Sequence, residues 1–404
     1  MASPATVVFT TAHTQPQPQP QPHPHPHLHL HLQPQQSQAE IELNGEVDVA
    51  TSDLPGDGSE SNPYKISNIS ELQAMEDDLD SNYTLVSDIN ASATAQFNNG
   101  SGFNPIGSGN TPFSGSFDGT NNTITGLTID RPDESNVGVF GVTGSGATLA
   151  DVTLANVTVT GDNSVGGLVG VNNRGAIRTA KISGNVTGER IVGGVVGIND
   201  NGRLRTTRAS GGVTGIKTVG GLVGDNAGPI QNARASGTVS GASEVGGLVG
   251  SNGQISFPPD PTIRHAFAIG SVTGDRKVGG VVGDNFGTGT VEQSYFDRQA
   301  TDQSTSAGNA TGLTTAQMQG STAAENMNLG FGETWQTVSG DYPELIALTD
   351  SDSDSPETDT SLPTIRATID DSGELGGTAR VSYTLRNVSD QSSVELNLNL
   401  TDTR

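Results

Sequence analysis

The chain has 404 residues, no cysteine, 54 glycines, only 32% hydrophobic and 4% aromatic residues, and a formal charge of −25 from 19 Lys+Arg against 44 Asp+Glu. So few aromatics argue against a conventional α/β core and for a thin core of Val, Ile, Leu and Ala repeated many times, and the acidity disfavours nucleic acid, whose phosphates attract basic surfaces. The missing cysteines exclude disulfides, zinc–thiolate sites and thiol chemistry, and no apolar stretch has the length of a transmembrane segment. Lysine occurs only at positions 65, 181, 217 and 277. Acidity with few lysines points to a halophilic source, where salt screens the self-repulsion.

Residues 1–61 read as a low-complexity tail. In QPQPQPQPHPHPHLHLHLQPQQ (15–36) the recurring prolines forbid helix and ladder bonding, which predicts an extended, disordered segment continuing through acidic sequence. His23, His25, His27, His29 and His31 would hold a metal only adventitiously there, so neither metal nor cofactor is assigned. The opening MASPATVVFTTAHT lacks the basic n-region and apolar length of a signal peptide. An exported protein would need an upstream start or an unconventional route.

Residues 62–135 precede a region, 136–302, dominated by self-similarity. SVGGLVG (164–170), IVGGVVG (191–197), TVGGLVG (218–224), EVGGLVG (244–250) and KVGGVVG (277–283) recur with spacings of 27, 27, 26 and 33. A degenerate copy, NVGVFG, starts at Asn136. The widest spacing contains an insertion at 254–262 with three prolines, read as a protruding loop. The second halves align as AIRTAKISGNVTG (176–188), RLRTTRASGGVTG (203–215), PIQNARASGTVSG (229–241) and TIRHAFAIGSVTG (262–274). Short alternating runs broken by Gly and Asn are strand signals, and a 27-residue unit of this kind buries its apolar side only by stacking on copies of itself. The glycine-rich strings lack the Lys-Ser/Thr and the following helix of a phosphate loop, so their glycines read as structural.

Seven residues after each lead valine stands an asparagine: Asn172, Asn199, Asn226, Asn252 and Asn285. In a stack these would form an amide ladder along the axis. The same stacking would align outward cations into two columns. Arg178, Arg205, Gln231 and Arg264 make one; Lys181, Arg208, Arg234 and Phe267 make the other. Residues 163–298 hold 13 basic and 9 acidic residues, net +4, whereas the remainder is net −29. Like charges one strand apart repel and invite an anionic partner such as an acidic glycan, although a solvated face balanced by salt is the ordinary fate of such runs. Asp200, Asp225 and Asp284 sit beside the asparagines, where turn chemistry explains them as well as catalysis or calcium binding does. His265 reads as a surface residue.

With GLVG at 167–170, 221–224 and 247–250, the repeats resemble the GLUG-motif repeats. The resemblance extends over about 62–348 through NPYKISNISELQAMEDDLDSNYTLVSDINAS (62–92), FNPIGSGNTPFSGSFDGTNNTITGLTID (103–130), SYFDRQATDQSTSAGNATGLTTAQMQ (294–318) and TWQTVSGDYPELIAL (334–348). It implies an all-β protein, a right-handed parallel β-helix of the kind found in surface-exposed, secreted and adhesin-like proteins, with 303–348 as its closing segment and C-terminal cap. It implies no shared catalytic residues, and no H-E-x-x-H is present. An acidic linker at 349–362 precedes 363–404, which reads as three strands resembling the opening of an Ig-like module. The expected function is adhesion or spacing outside the cell or at its surface, with a possible anionic-glycan partner and an open oligomeric state. A polysaccharide-active β-helix enzyme is the alternative.

Overall fold

The computed structural model describes residues 50–254 and 260–349, together with the backbone of three strands, Arg366–Ile369, Val381–Thr384 and Val394–Leu396. Expectations placed on residues 1–49, 255–259, 350–365, 370–380, 385–393 and 397–404 lie outside the described residues. The three C-terminal strands pair antiparallel in chain order, with Arg366 opposite Thr384 and Val381 opposite Leu396.

From Tyr64 the chain winds as a parallel β-helix. Each repeat coil contributes in turn to three sheets. A two- to four-residue strand such as Val165–Gly166 enters the first, Val169–Asn173 the second, and the long Ala176–Thr187 the third. The third sheet is the broadest and runs in register from Tyr64–Ile66 to Thr311–Leu313. One inward column on it passes through nine rungs: Tyr64, Tyr83, Phe117, Leu149, Ile177, Leu204, Ile230, Ile263 and Val291. Leu149 to Val291 are all at most 3% exposed, each contributing roughly 1.5–3 kcal/mol of burial. The early rungs are filled by aromatics, with Tyr83, Phe113 and Phe140 in tilted contact at 5.0–6.3 Å. The repeat rungs are filled mainly by Val, Ile, Leu and Ala, which accounts for the low aromatic content.

The three-residue step between Ile177 and Ala180 has a backbone cause. The residue before Ala180, and its equivalents in neighbouring coils, is left-handed: Asp151, Thr179, Thr206, Asn232, His265 and Gln293 have φ of 45–56°. A single left-handed residue bends the strand and resets its in–out alternation. Ile177, Ala180 and Ile182 therefore all point inward, while Arg178 and Lys181 point outward. His265 is one of these corners.

The paired glycines are required by close approach. A Cβ on Gly220 would lie 2.0 Å from the Val223 carbonyl oxygen, and one on Gly221 would lie 2.2 Å from that of Gly247 in the next coil. The first contact is a turn within a coil; the second sets how tightly coils meet.

At the C-terminal end the chain folds back. Asp297 caps the helix Arg298–Thr301, accepting from the amides of Gln299 and Ala300 at 2.8 and 3.0 Å, and its other oxygen accepts from the Tyr342 hydroxyl at 2.6 Å. Two short helices, Thr315–Met318 and Thr322–Asn326, lead to the antiparallel hairpin Trp335–Val338 and Asp341–Leu345. These elements form a second apolar cluster on the outer face of the broad sheet, in which Trp335, Met318, Met327 and Leu345 pack with Phe267 and Tyr295. The turn Ile346–Leu348 meets the strands Ala176–Thr187 and Arg203–Ser210.

Candidate functional site

The second sheet turns its asparagines inward. Asn172, Asn199, Asn226 and Asn252 are 0% exposed, and neighbouring asparagines are register partners. The side-chain nitrogen of Asn172 donates to the side-chain oxygen of Asn199 at 2.9 Å. The same bond links Asn199 to Asn226, Asn226 to Asn252 and Asn252 to Asn285, each at 2.8 Å. The second hydrogen of each amide goes to a backbone carbonyl, such as Gly175, Gly202 and Gly228 at 3.2, 3.1 and 2.8 Å. All the amide dipoles therefore point one way along the axis, the cooperative arrangement for a buried chain. The sequence reading missed its head: the Thr143 hydroxyl donates to the Asn172 oxygen at 2.8 Å. Thr143 lies six residues after Val137, because the degenerate copy is one residue short. Aligning that copy with a single gap would have found it.

The cationic columns separate into an open and a covered part. Arg178, Arg205 and Arg264 are exposed; Lys181 and Arg208 are half-buried. Arg178 and Arg205 are register partners, flanked by Ala150 and Gln231, with no carboxylate opposite either. Arg264 instead pairs with its register neighbour Glu292 at 3.2 Å. Arg203, exposed and two residues before Arg205 on the same strand, extends the open ridge and was not singled out from sequence.

Arg234 and Phe267 correct the expectation of a second outward, solvated column. Both point away from the solenoid core, but the closing segment covers them: Arg234 is 6% exposed and Phe267 0%. The Arg234 Nη1 donates to the Pro343 carbonyl at 3.2 Å, and its guanidinium carbon lies 5.7 Å from the Phe267 ring centroid. Burial, reinforced by neighbouring Arg208, pulls the Arg234 pKa down to about 10. The closing segment therefore shields Arg234, which is not part of an accessible stripe.

The three aspartates do not converge. Asp225, Ser251 and Asp284 form one outward column, so the two acids are separated by a whole rung, whereas Asp200 is a register partner of Asn173. Lys277 bonds Asp284 at 2.7 Å and approaches Glu244 at 3.6 Å, while Glu244 accepts from the Thr218 hydroxyl at 2.7 Å. Burial raises the Asp225 pKa. Asp225, Ser251, Asp284, Glu244 and Thr218 line a groove of about 270 Å³ with Arg190, Lys217 and Phe286. Among the described residues no three His, Cys, Asp or Glu side chains are grouped to hold a metal ion, and no helix is long and apolar enough to cross a membrane.

The class defined by this arrangement is a parallel β-solenoid with a buried amide chain on one side and a partly covered cationic face on another. Comparison with known proteins finds similarity over part of the chain. A 146-residue stretch is 38% identical to Halomucin of Haloquadratum walsbyi, covering 33% of this chain and 2% of that protein. A 131-residue stretch is 32% identical to a protein described as a Gly-rich membrane protein from Evansella cellulosilytica, covering 31% of this chain and 15% of the relative. The chain thus matches only a small share of either relative's length. No family model matches it, and no solved structure does.

Proposed function

We propose that this β-solenoid works at the cell surface as an adhesive or spacing module of the GLUG-repeat kind, and that its exposed arginine ridge engages an anionic glycan. The observation that carries the ligand is the pairing of Arg178 with Arg205, adjacent in register, exposed, and without an acid across from either. Charges so placed are relieved by a polyanion lying along the ridge, and planar guanidinium groups suit sulfate or carboxylate bidentately. Similarity to Halomucin and to a Gly-rich membrane protein supports the surface location, and the −25 charge with few lysines suits a salt-rich exterior.

The test compares the wild type with a variant carrying Arg178→Ser, Arg205→Ser and Arg264→Ser, using dextran sulfate and alginate as probes over a range of salt. The reading predicts binding that weakens with salt and falls at least tenfold in the variant. Equal binding by both proteins, or none by either, overturns the ridge as a binding surface.

A further inference from the structure

Beneath the closing hairpin, three N–H donors are buried with nothing to bond. The Nε of Arg208, the Nε of Arg234 and the indole nitrogen of Trp335 have no hydrogen-bond partner among the described residues. Such orphans are rare, because each forfeits its hydration without replacement. Arg208 and Arg234 are register partners on adjacent strands, which places their backbones about 4.8 Å apart. Phe267 lies against Arg234, its ring centroid is 5.2 Å from that of Trp335, and Arg208 is close enough to act on the Arg234 charge, so the side chains that carry the three donors adjoin one another.

This patch has no ion pair of its own among the described residues. Asp341 and Glu344 on the hairpin attract Arg234 at longer range, but no carboxylate comes within ion-pairing distance of it among the described residues. Pro343 takes one guanidinium hydrogen through its carbonyl and leaves Nε free. Two guanidinium groups side by side in a low-dielectric place repel, and burial of unpaired charge is costly.

We propose that this patch is an anion site that takes a small monovalent anion of the halide class, held by the Nε–H groups of Arg208 and Arg234, with the Trp335 N–H as a third donor on the same patch. A halide accepts donors from several directions and cancels the repulsion at once; a water molecule could accept two hydrogens but would leave the charges unopposed. The anion would pin the closing segment to the solenoid and make its attachment depend on halide rather than on ionic strength alone.

Bromide is the probe. Crystals of the full chain grown in sodium bromide are expected to show an anomalous peak between the Arg208 and Arg234 guanidinium groups. In solution, the unfolding midpoint of the wild type is expected to rise by several degrees in sodium bromide over sodium gluconate at equal ionic strength. Arg208→Gln should abolish that halide-specific increment while the hairpin amides stay protected from hydrogen exchange in gluconate. Bromide peaks elsewhere only, an ordered water in place of the anion, or equal midpoints in the two salts overturns the proposal. Should Arg208→Gln fail to fold, the wild-type map and salt comparison still decide it.

Discussion

Asn199 is bonded on both faces: its oxygen accepts from the Asn172 amide at 2.9 Å, and its nitrogen donates to the Asn226 oxygen at 2.8 Å. Only a primary amide can accept along the axis, donate along it, and still give a hydrogen to the Gly202 carbonyl of its own coil. The position is therefore specified by hydrogen-bond arithmetic as well as by shape.

Replacing Asn199 tests that arithmetic. Asn199→Ala leaves the Asn172 amide, the Asn226 oxygen and the Gly202 carbonyl without their partner. At about 1–3 kcal/mol for each orphaned buried group, and with some relaxation, urea unfolding should show a loss of about 3–5 kcal/mol. Asn199→Asp can accept but, ionised, cannot donate. Its buried carboxyl would have a folded pKa above the unfolded one, so the folded state binds the extra proton. The variant's deficit should then be largest at neutral pH and shrink as pH falls through that raised pKa. A deficit independent of pH would contradict this.

Gly221→Ala should cost about 1–3 kcal/mol or more by overpacking, because the new carbon would meet a backbone oxygen at 2.2 Å. Gly109→Ala is the control. Nothing lies within 4 Å of a Cβ there, and the change should be neutral or stabilise by about 0.5 kcal/mol through the unfolded chain. Thermal melts of both variants decide whether close approach, or glycine content in general, is what the repeats require.

Asp225 is a cost at neutral pH. Its folded pKa is raised, burial being the main cause, so stability from this site is greatest when the group is protonated and declines as pH rises from the unfolded value toward the folded one. Asp225→Ser, which copies its register neighbour Ser251, should raise the urea midpoint at pH 7. The gain should vanish near pH 3. The opposite sign at pH 7 would show that the carboxylate is engaged by the groove's cations instead.

Trp335 anchors the closing segment. It is fully buried against Phe267, and Trp335→Ala should cost that segment about 3–5 kcal/mol. Hydrogen exchange should accelerate in 311–348 and on the strand Thr262–Ala268, whose Phe267 packs against Trp335, while the amides of the second sheet remain protected. Uniform acceleration would mean that cap and solenoid unfold as one.

The winding was legible because one coil is written five times over. Equivalent residues such as Ile177, Leu204, Ile230 and Ile263 announce their alignment in the string, and in the structure they form one column. The left-handed corner at Thr179 was visible only indirectly, as a three-residue step where alternation demands two. The covering of Arg234 was not legible. It depends on Pro343 and Trp335, about a hundred residues downstream, whose return to the broad sheet is a tertiary event without local signature. The sequence shows where asparagines recur but not which atom donates, and the one-residue deletion before Thr143 hid the first donor of the chain.

Spin-label distances along one outward column test the stacking most directly, and the absence of native cysteine makes the labelling clean. Asp118, Ala150, Arg178, Arg205, Gln231, Arg264 and Glu292 are successive register partners. Labels at Asp118→Cys paired in turn with Arg205→Cys, Arg264→Cys and Glu292→Cys are three, five and six rungs apart. At about 4.8 Å per rung, the distances should centre near roughly 14, 24 and 29 Å. A straight line of that slope against rung number supports the account; distances that fail to grow with rung number contradict it.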